Sequence, residues 1–217
     1  MKDAEIHEVV RILRDEYPRW REPIVTEIAK KRDPFRVLIS TVISLRTKDE
    51  TTRGASARLF TLADSPRDML KLDTKRIEEA IFPAGFYRTK ARNIMRICAI
   101  LVEEKNGRVP DTIEDLLLLP GVGRKTANLV VTLGYGKPGI CVDTHVHRIS
   151  NRLGYVVTRT PDKTEFALRE KLPTEYWIEY NDLLVSYGKH VCTPVSPFCS
   201  ECKIYQYCDR VGVERRR

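Results

Sequence analysis

Apolar residues recur along the chain at the three- and four-residue intervals of amphipathic helices. Two such stripes are formed by Ile6, Val9, Val10, Leu13 and by Phe35, Leu38, Ile39, Val42. The β-branched run VVTL at 130–133 lies inside a helical context and is assigned to a helix. The pattern predicts an all-α protein with roughly ten to twelve helices.

Several helix starts are marked by a capping side chain followed by proline at the first helical position. The three pairs are Asp33-Pro34, Ser65-Pro66 and Thr160-Pro161. A fourth start is predicted at Asp111, with Glu114 three residues further on as in a capping box. The chain shows no internal repeat, low-complexity tract or Gly/Ser linker. It is therefore predicted to be a series of short, well-capped helices.

The balance of charges favours a polyanionic partner. The 217 residues carry a net charge of +8, because 38 Lys and Arg exceed 30 Asp and Glu. Nucleic acid is the favoured partner for such a chain. No apolar stretch approaches the ~20 residues that a membrane span needs, and the charged segment 1–18 has no signal-peptide core. We therefore expect an intracellular protein. A single glutamine, Gln206, beside many Lys, Arg and Glu is compatible with a thermophilic source.

Four of the six cysteines fall within 17 residues of one another. Spacers of six, two and five residues separate them: Cys192, Cys199, Cys202 and Cys208. Thiolates this close suit a metal centre, because all ligands must be deprotonated and converge. Zinc sites usually pair two short Cys-x2–4-Cys units. Only one such unit is present, so the spacing favours an iron–sulfur cluster and leaves zinc as the alternative. Cys98 and Cys141, flanked by aliphatic residues, are expected in the core.

The string LPGVGRKTA at 119–127 predicts two helices joined by a tight turn. The first helix is expected to end near Leu119 and the second to begin at about Arg124. The residues between them, 120–123, can form a tight turn because glycine permits positive φ. Backbone amides at such a helix start can hold a phosphate without reading base identity. The predicted DNA contacts of this turn are Gly121, Val122, Gly123 and Arg124. Lys125 follows in the first turn, and the carboxylate of Asp143 lies 18 positions further on.

Together these motifs resemble the endonuclease III-type DNA glycosylases of the helix-hairpin-helix glycosylase superfamily. The strings that carry the resemblance are LPGVGRKTA at 119–127, VDTH at 142–145, LISTVISLRTKD at 38–49, GFYRTKARNI at 85–94 and the four-cysteine pattern. The resemblance implies a two-lobed α fold. A six-helix barrel domain containing the hairpin would span 28–140. Residues 1–27 and 141–217 would together form a helical iron–sulfur cluster domain.

The resemblance further implies a bifunctional enzyme of DNA base excision repair. Such an enzyme removes oxidised pyrimidines of the thymine glycol type from duplex DNA and then cleaves the abasic (AP) site. The family's nucleophile matches Lys125 and its catalytic carboxylate matches Asp143. A carboxylate stabilises the positive charge that develops on the sugar, and an amine forms a Schiff base that permits β-elimination. A [4Fe–4S] cluster on the four cysteines is the implied cofactor, with a structural and DNA-positioning role.

DNA is expected to lie across the cleft between the lobes, with the damaged nucleotide flipped out. The resemblance places Arg46 and Phe86 as the side chains that fill the vacated stack. Relatives commonly carry glutamine and leucine there, so lesion and opposite-base preferences stay open. The first cluster loop, 193–198, lacks the basic residues that relatives often have. The residues expected to supply that charge are Lys189, Lys203 and Arg210.

Two other functions stay open at this point. A mismatch thymine or uracil DNA glycosylase would share the cluster but usually lacks lysine at the position of Lys125. A non-catalytic, cluster-bearing DNA-binding protein would need neither Lys125 nor Asp143. His145 and His147, two residues apart on a helix, are expected to pack rather than to bind metal. We expect a monomer with no membrane association, in the prokaryotic cytoplasm at the nucleoid.

Overall fold

Residues 1–30 and 32–217 are described by a computed structural model of the protein. All regular structure in these residues is helical, which confirms the predicted fold class. No helix among them is both long enough and apolar enough to cross a membrane. The α-helices are α1 (Ile6–Glu16), α2 (Ile24–Ala29), α3 (Pro34–Ser44), α4 (Asp49–Leu62), α5 (Pro66–Met69), α6 (Thr74–Ile81), α7 (Tyr87–Glu104), α8 (Ile113–Leu117), α9 (Arg124–Leu129), α10 (Thr144–Arg152), α11 (Pro161–Lys171) and α12 (Tyr180–His190).

The chain divides into two compact units. The first unit combines both ends of the chain, Met1–Pro23 and Pro138–Arg217, and the second unit is the continuous segment Ile24–Lys137. The predicted bounds of the barrel domain, 28–140, lie slightly further along the chain at both ends. The assignments of a six-helix barrel and of a cluster domain to these segments stay predictions.

Helix α3 forms the centre of the second unit because its surface is apolar nearly all round. Val37, Leu38, Ile39, Val42 and Ile43 are each at most 1% exposed. Helices α2, α4, α7 and α9 pack against α3. Because α3 is enclosed, the position of its last residue, Ser44, is fixed. The loop that contains Arg46 begins directly after it.

The first unit is built on α1, α10, α11 and α12. The predicted stripe on α1 is buried in its core. Three fully buried tyrosines also lie there, and each hydroxyl has a partner, as buried Tyr requires. Tyr155 donates to the Lys171 carbonyl at 3.0 Å, and the Tyr180 hydroxyl lies 3.2 Å from that of Ser150. Tyr187 of α12 donates to a sulfur of the cysteine segment, which joins that segment to the core.

The capping predictions are confirmed at three helices. Asp33 accepts hydrogen bonds from the amides of Phe35 and Arg36, and Ser65 and Thr160 each accept one from the third residue of their helix. Proline occupies the first position in all three cases. These contacts satisfy amides that have no partner inside the helix.

The predicted cap at Asp111 is wrong by one residue. Thr112 is the cap of α8, and its hydroxyl accepts from the amide of Asp115 at 3.3 Å. The Asp115 carboxylate accepts from the same hydroxyl at 2.9 Å. Asp111 instead pairs with Lys137 at 2.5 Å. The capping oxygen is therefore that of Thr112, the residue directly before α8.

Candidate active site and metal centre

The hairpin between α8 and α9 has the predicted tight turn. The Val122 amide donates to the Leu119 carbonyl at 3.1 Å, and Gly121 has a φ of +76°. A Cβ at Gly121 would lie 2.4 Å from the Asn93 side-chain nitrogen on α7. Glycine is required there by both the backbone conformation and the close packing.

Gly123 is the N-cap of α9 and has no such constraint. Its φ is −104° and its ψ is 178°, which any residue adopts, and a Cβ there would meet nothing within 4 Å. The space that a Cβ would occupy at Gly123 is therefore open, and it lies at the start of a helix, where the macrodipole favours an anion. Phosphate contact by this turn stays a prediction.

Alanine at Gly123 tests that prediction. The methyl group fits the folded protein, so the free energy of unfolding should change by less than about 0.5 kcal/mol. It would occupy the space a phosphate needs, so we expect affinity for duplex DNA to fall roughly tenfold, the value of one hydrogen bond to a charged group. Urea unfolding and fluorescence anisotropy measure the two quantities. Gly121→Ala is the contrasting variant and should lose stability, because φ is positive there. Unchanged affinity in Gly123→Ala would contradict the predicted phosphate seat.

Lys125 is the second residue of α9 and is half-buried. The three residues after it, Thr126, Ala127 and Asn128, are at most 1% exposed, so the backbone that carries the lysine is fixed in the core. Asn128 also donates to the Arg124 carbonyl at 3.1 Å. The helix continues beyond α9 as a π-helical turn, Val130–Gly134. The predicted helical assignment of 130–133 is thereby confirmed.

Asp143 is the N-cap of α10. One carboxylate oxygen accepts from the amides of His145 at 2.8 Å and Val146 at 3.0 Å, which fixes the orientation of the group. Asp143 lies in the first unit and Lys125 in the second. Their joint catalytic role stays a prediction.

The two histidines that follow Asp143 make separate contacts. The His147 ring lies 2.6 Å from the Thr164 hydroxyl, and burial lowers the pKa of His147. The His145 ring packs against Gly188 of α12 and lies 3.2 Å from the Arg148 guanidinium. The predicted packing role of both rings is confirmed.

Arg46 and Phe86 come together in the second unit as one exposed pair. The Arg46 guanidinium carbon lies 4.8 Å from the centre of the Phe86 ring, and the ring is 60% exposed. Both residues have left-handed backbones, with φ of 53° and 58°. Such conformations cost on the order of 1 kcal/mol each in non-glycine residues and cluster at functional sites. Their role in filling a vacated base stack stays a prediction.

The two loops that carry this pair are joined by a hydrogen bond and by a close approach of their backbones. The Gly85 amide donates to the Thr47 hydroxyl at 3.1 Å. A Cβ at Gly85 would lie 2.5 Å from the Arg46 carbonyl, so glycine allows the close approach. The two loops therefore form one surface.

The buried side chain of Lys90 holds the Arg46 loop in place. This residue was not among those predicted from the sequence. Its ammonium donates to the carbonyls of Ile43 at 2.7 Å and Leu45 at 2.5 Å and to the Thr47 hydroxyl at 2.9 Å. These groups end α3 and begin the Arg46 loop. Lys90 is 6% exposed, and burial lowers its pKa to about 8. The signal was present in the sequence, because Lys90 falls on the apolar stripe of α7 with Ile94, Ile97 and Leu101.

Methionine at Lys90 should destabilise the protein by about 2–3 kcal/mol, since buried acceptors lose their donor. The pKa of Lys90 in the folded protein lies below its ordinary value of 10.5, so between about pH 8 and 10.5 the folded protein binds fewer protons than the unfolded chain. The free energy of unfolding of wild type minus that of Lys90→Met should therefore rise with pH across this window. This difference should be smallest below pH 8. Urea unfolding from pH 7 to 10 measures it. Lys71→Met, at an exposed lysine paired with Asp68, is the control. If the wild-type protein instead lost stability relative to Lys90→Met as the pH rises, a lowered pKa of Lys90 would be contradicted.

The four predicted cysteines surround one cavity in the first unit. The cavity has a volume of about 20 Å³, and its lining includes Cys192, Cys199, Cys202 and Cys208. Two donors point at its sulfurs: Arg152 at 3.3 Å from Cys192 and Tyr187 at 3.3 Å from Cys202. Arg152 also donates to the carbonyls of Thr193 and Pro194, both at 2.7 Å, which fixes the first cluster loop.

The chemistry of these thiols fits a cationic occupant. Burial raises the pKa of Cys202 and raises that of Cys208 to about 11. Neighbouring cysteines contribute to the raised pKa of both thiols, so four thiolates require positive charge between them. Within residues 1–30 and 32–217, no three His, Cys, Asp or Glu side chains converge as the ligands of a single metal ion do.

The other cysteines and Lys203 have different surroundings. Cys98 and Cys141 are buried, as predicted, and burial raises the pKa of Cys98 to about 12. Lys203 is exposed, and its backbone amide donates to the Tyr187 hydroxyl at 3.0 Å. Contact of Lys203 with DNA stays a prediction.

Comparison with known proteins defines the class. Residues 39–174 match the family model of the HhH-GPD superfamily base excision DNA repair protein, and the chain belongs to this family. It is 51% identical over 180 residues to Endonuclease III of Thermotoga maritima, covering 83% of this chain and 84% of that protein. The predicted family resemblance is confirmed.

Solved structures show the same fold. A non-covalent Endonuclease III–DNA complex superposes with a TM-score of 0.86 at 34% identity and covers 97% of this chain and 96% of that one. A trapped Endonuclease III–DNA covalent intermediate gives a TM-score of 0.84 at 32% identity and covers 97% of each chain.

Proposed function

We propose that this chain is a bifunctional DNA glycosylase and AP lyase that removes oxidised pyrimidines from duplex DNA. The observation that carries the proposal is Lys125, placed by the hairpin in the first turn of α9 behind an open helix start. A covalent DNA intermediate has been trapped for one of the similar structures, and a lysine nucleophile predicts such an intermediate here. The net charge of +8 suits the phosphate backbone.

Base excision is the first step. The N-glycosidic bond breaks as positive charge develops on the deoxyribose, and the Asp143 carboxylate stabilises that charge. The oriented N-cap geometry suits this task, because a preorganised charge needs no rearrangement as the bond breaks. The Lys125 amine, after losing its proton, bonds to C1′, and the base leaves with a proton.

Strand cleavage is the second step. Opening of the sugar ring turns the C1′–nitrogen bond into a protonated Schiff base, which acidifies a hydrogen at C2′. Loss of that proton expels the 3′ phosphate by β-elimination. Water then hydrolyses the Schiff base, which frees Lys125 and leaves an unsaturated aldehyde on the DNA.

We further propose that Cys192, Cys199, Cys202 and Cys208 hold a [4Fe–4S] cluster. Their spacing and their shared cavity support this assignment. The bound group would join the four cysteines to one another, and Arg152 of α10 and Tyr187 of α12 would donate to its thiolate ligands. Iron and acid-labile sulfide in a brown preparation absorbing near ~400 nm would support the cluster. A colourless, zinc-containing protein would overturn it.

Borohydride trapping tests the proposed function. The wild-type protein is incubated with duplexes that carry thymine glycol, a G·T mismatch or no lesion, and sodium borohydride is added to reduce any Schiff base. We expect a covalent protein–DNA adduct on the thymine glycol duplex and a β-elimination product when borohydride is omitted.

The three functions give different results in this assay. Excision at the mismatch without an adduct would replace the proposal with a mismatch glycosylase. Binding with neither excision nor an adduct on any duplex would replace it with a non-catalytic DNA-binding protein. Undamaged DNA controls for non-specific reduction.

A further inference from the structure

The first cluster loop, 193–198, contains no Lys or Arg. The structure shows that the segment 215–217 lies against this loop. The Arg217 amide donates to the Pro197 carbonyl at 2.9 Å, and the Ser200 amide donates to the Arg217 carbonyl at 2.9 Å. The Arg217 side chain donates to the Ser196 carbonyl at 3.1 Å. A basic segment distant in sequence from the loop is therefore fixed on it.

Aromatic rings hold two of the three arginines of this segment, Arg216 and Arg217. The Arg217 guanidinium carbon lies 3.9 Å from the centre of the Phe198 ring. Arg216 donates to the Tyr205 hydroxyl at 2.7 Å and lies over the same ring at 5.9 Å. Arg210 stacks on Tyr205 at 4.5 Å. Stacking restrains a guanidinium while its N–H groups remain directed outward in the plane, the geometry that phosphate recognition uses.

The charges of this group are available to an external anion. Arg216 and Arg217 are exposed, and neither forms an ion pair with a carboxylate in the part of the chain that the structure describes. The two side chains line a pocket of about 490 Å³ together with Ser200 and Tyr205. Cys199 and Cys202 complete its lining, so the pocket lies beside the cysteine segment.

We propose that Arg216 and Arg217 form a phosphate-binding site that gives the first cluster loop the charge its own sequence lacks. The partner is the sugar–phosphate backbone of duplex DNA, so this inference rests on the proposed function. Phosphate contacts fix the register of a protein on DNA without reading its sequence. The site would therefore add affinity for damaged and undamaged duplex alike.

The salt dependence of binding tests this site. The full-length, cluster-containing protein is titrated with an uncleavable duplex that carries a tetrahydrofuran abasic analogue, over about 50–200 mM salt. The slope of log affinity against log salt is negative, and each lost phosphate contact should make it less steep by about 0.9. For the double variant, Arg216→Gln with Arg217→Gln, we expect the magnitude of this slope to decrease by about one to two units. The decrease should be similar on undamaged duplex. Absorption near ~400 nm checks that the cluster is retained.

A charge-matched control separates a local contact from net charge. Arg67→Gln with Lys71→Gln removes two exposed charges from the second unit and should leave the slope near the wild-type value. A slope for the Arg216 and Arg217 variant equal to that control would overturn the site. If the double variant loses its cluster, Arg216→Gln alone is used, because it keeps the Arg217 contacts to the loop. The magnitude of its slope should be smaller than that of wild type by about one unit. The wild-type slope on uncleavable DNA is readable even if borohydride trapping fails, so the two proposals fail separately.

Discussion

Lys125→Met abolishes strand cleavage at abasic sites, with an expected decrease of at least roughly 10⁴-fold, as for removal of other covalent nucleophiles. Methionine keeps the apolar stem and favours a helix, so α9 should form as before. The thioether sulfur cannot form a Schiff base. Borohydride trapping on thymine glycol and abasic duplexes should therefore give no adduct.

Binding must be measured alongside activity, because a misfolded variant would also be inactive. Fluorescence anisotropy with the uncleavable abasic duplex should show affinity within a few-fold of wild type. Lys137→Met is the matched control, since Lys137 lies in the same unit and makes an ion pair with Asp111. This control should trap normally. Undiminished cleavage by Lys125→Met would exclude Lys125 as the nucleophile.

Asp143→Asn should slow excision of thymine glycol by roughly 10²–10³-fold, the usual effect of removing a preorganised group that stabilises transition-state charge. Asparagine caps helices as well as aspartate does. The oxygen that accepts from His145 and Val146 is kept, so stability should change by less than about 0.5 kcal/mol. Single-turnover excision and urea unfolding measure the two effects.

Two further variants separate charge from capping. Asp143→Ala should lose about 1 kcal/mol of stability in addition to activity, because the cap is removed as well. Asp33→Asn makes the same chemical change at the cap of α3, which accepts from Phe35 and Arg36 in the same way. It should leave excision within about twofold, since no electrostatic role in catalysis is assigned to it. Equal excision by Asp143→Asn and wild type would show that Asp143 acts only as a cap.

Local chemistry explains which features could be predicted. Caps such as Asp33 and Ser65 bond to amides two or three residues away, so the information lies in a short string. The hairpin was predictable for the same reason, because its turn closes between Leu119 and Val122. At α8 the cap is Thr112, one residue beyond the predicted Asp111, whose carboxylate pairs with Lys137.

Contacts between distant residues explain what was missed. Lys90 reaches carbonyls more than forty residues away, and the apolar stripe of α7 was the only hint. Arg46 and Phe86 were each selected by position, but nothing in either string shows that they stack. The loop at 193–198 was expected to take its charge from neighbours in the sequence. That expectation stays a prediction, and the structure adds a contact that the sequence did not indicate, Arg217 stacked on Phe198.

The sequence by itself determined the all-α class, the starts of α3, α5 and α11, the hairpin, the cysteine group and the family. The helix caps and the hairpin depend on residues within about one or two helical turns, where backbone geometry fixes which side chains meet. The family was indicated by several short strings in a fixed order along the chain. The tertiary structure alone decided the Arg46–Phe86 pair, the buried ammonium of Lys90 beneath it and the arginines seated on the cysteine loop. These contacts join segments whose approach depends on the packing of the whole unit, and no local pattern encodes such an approach.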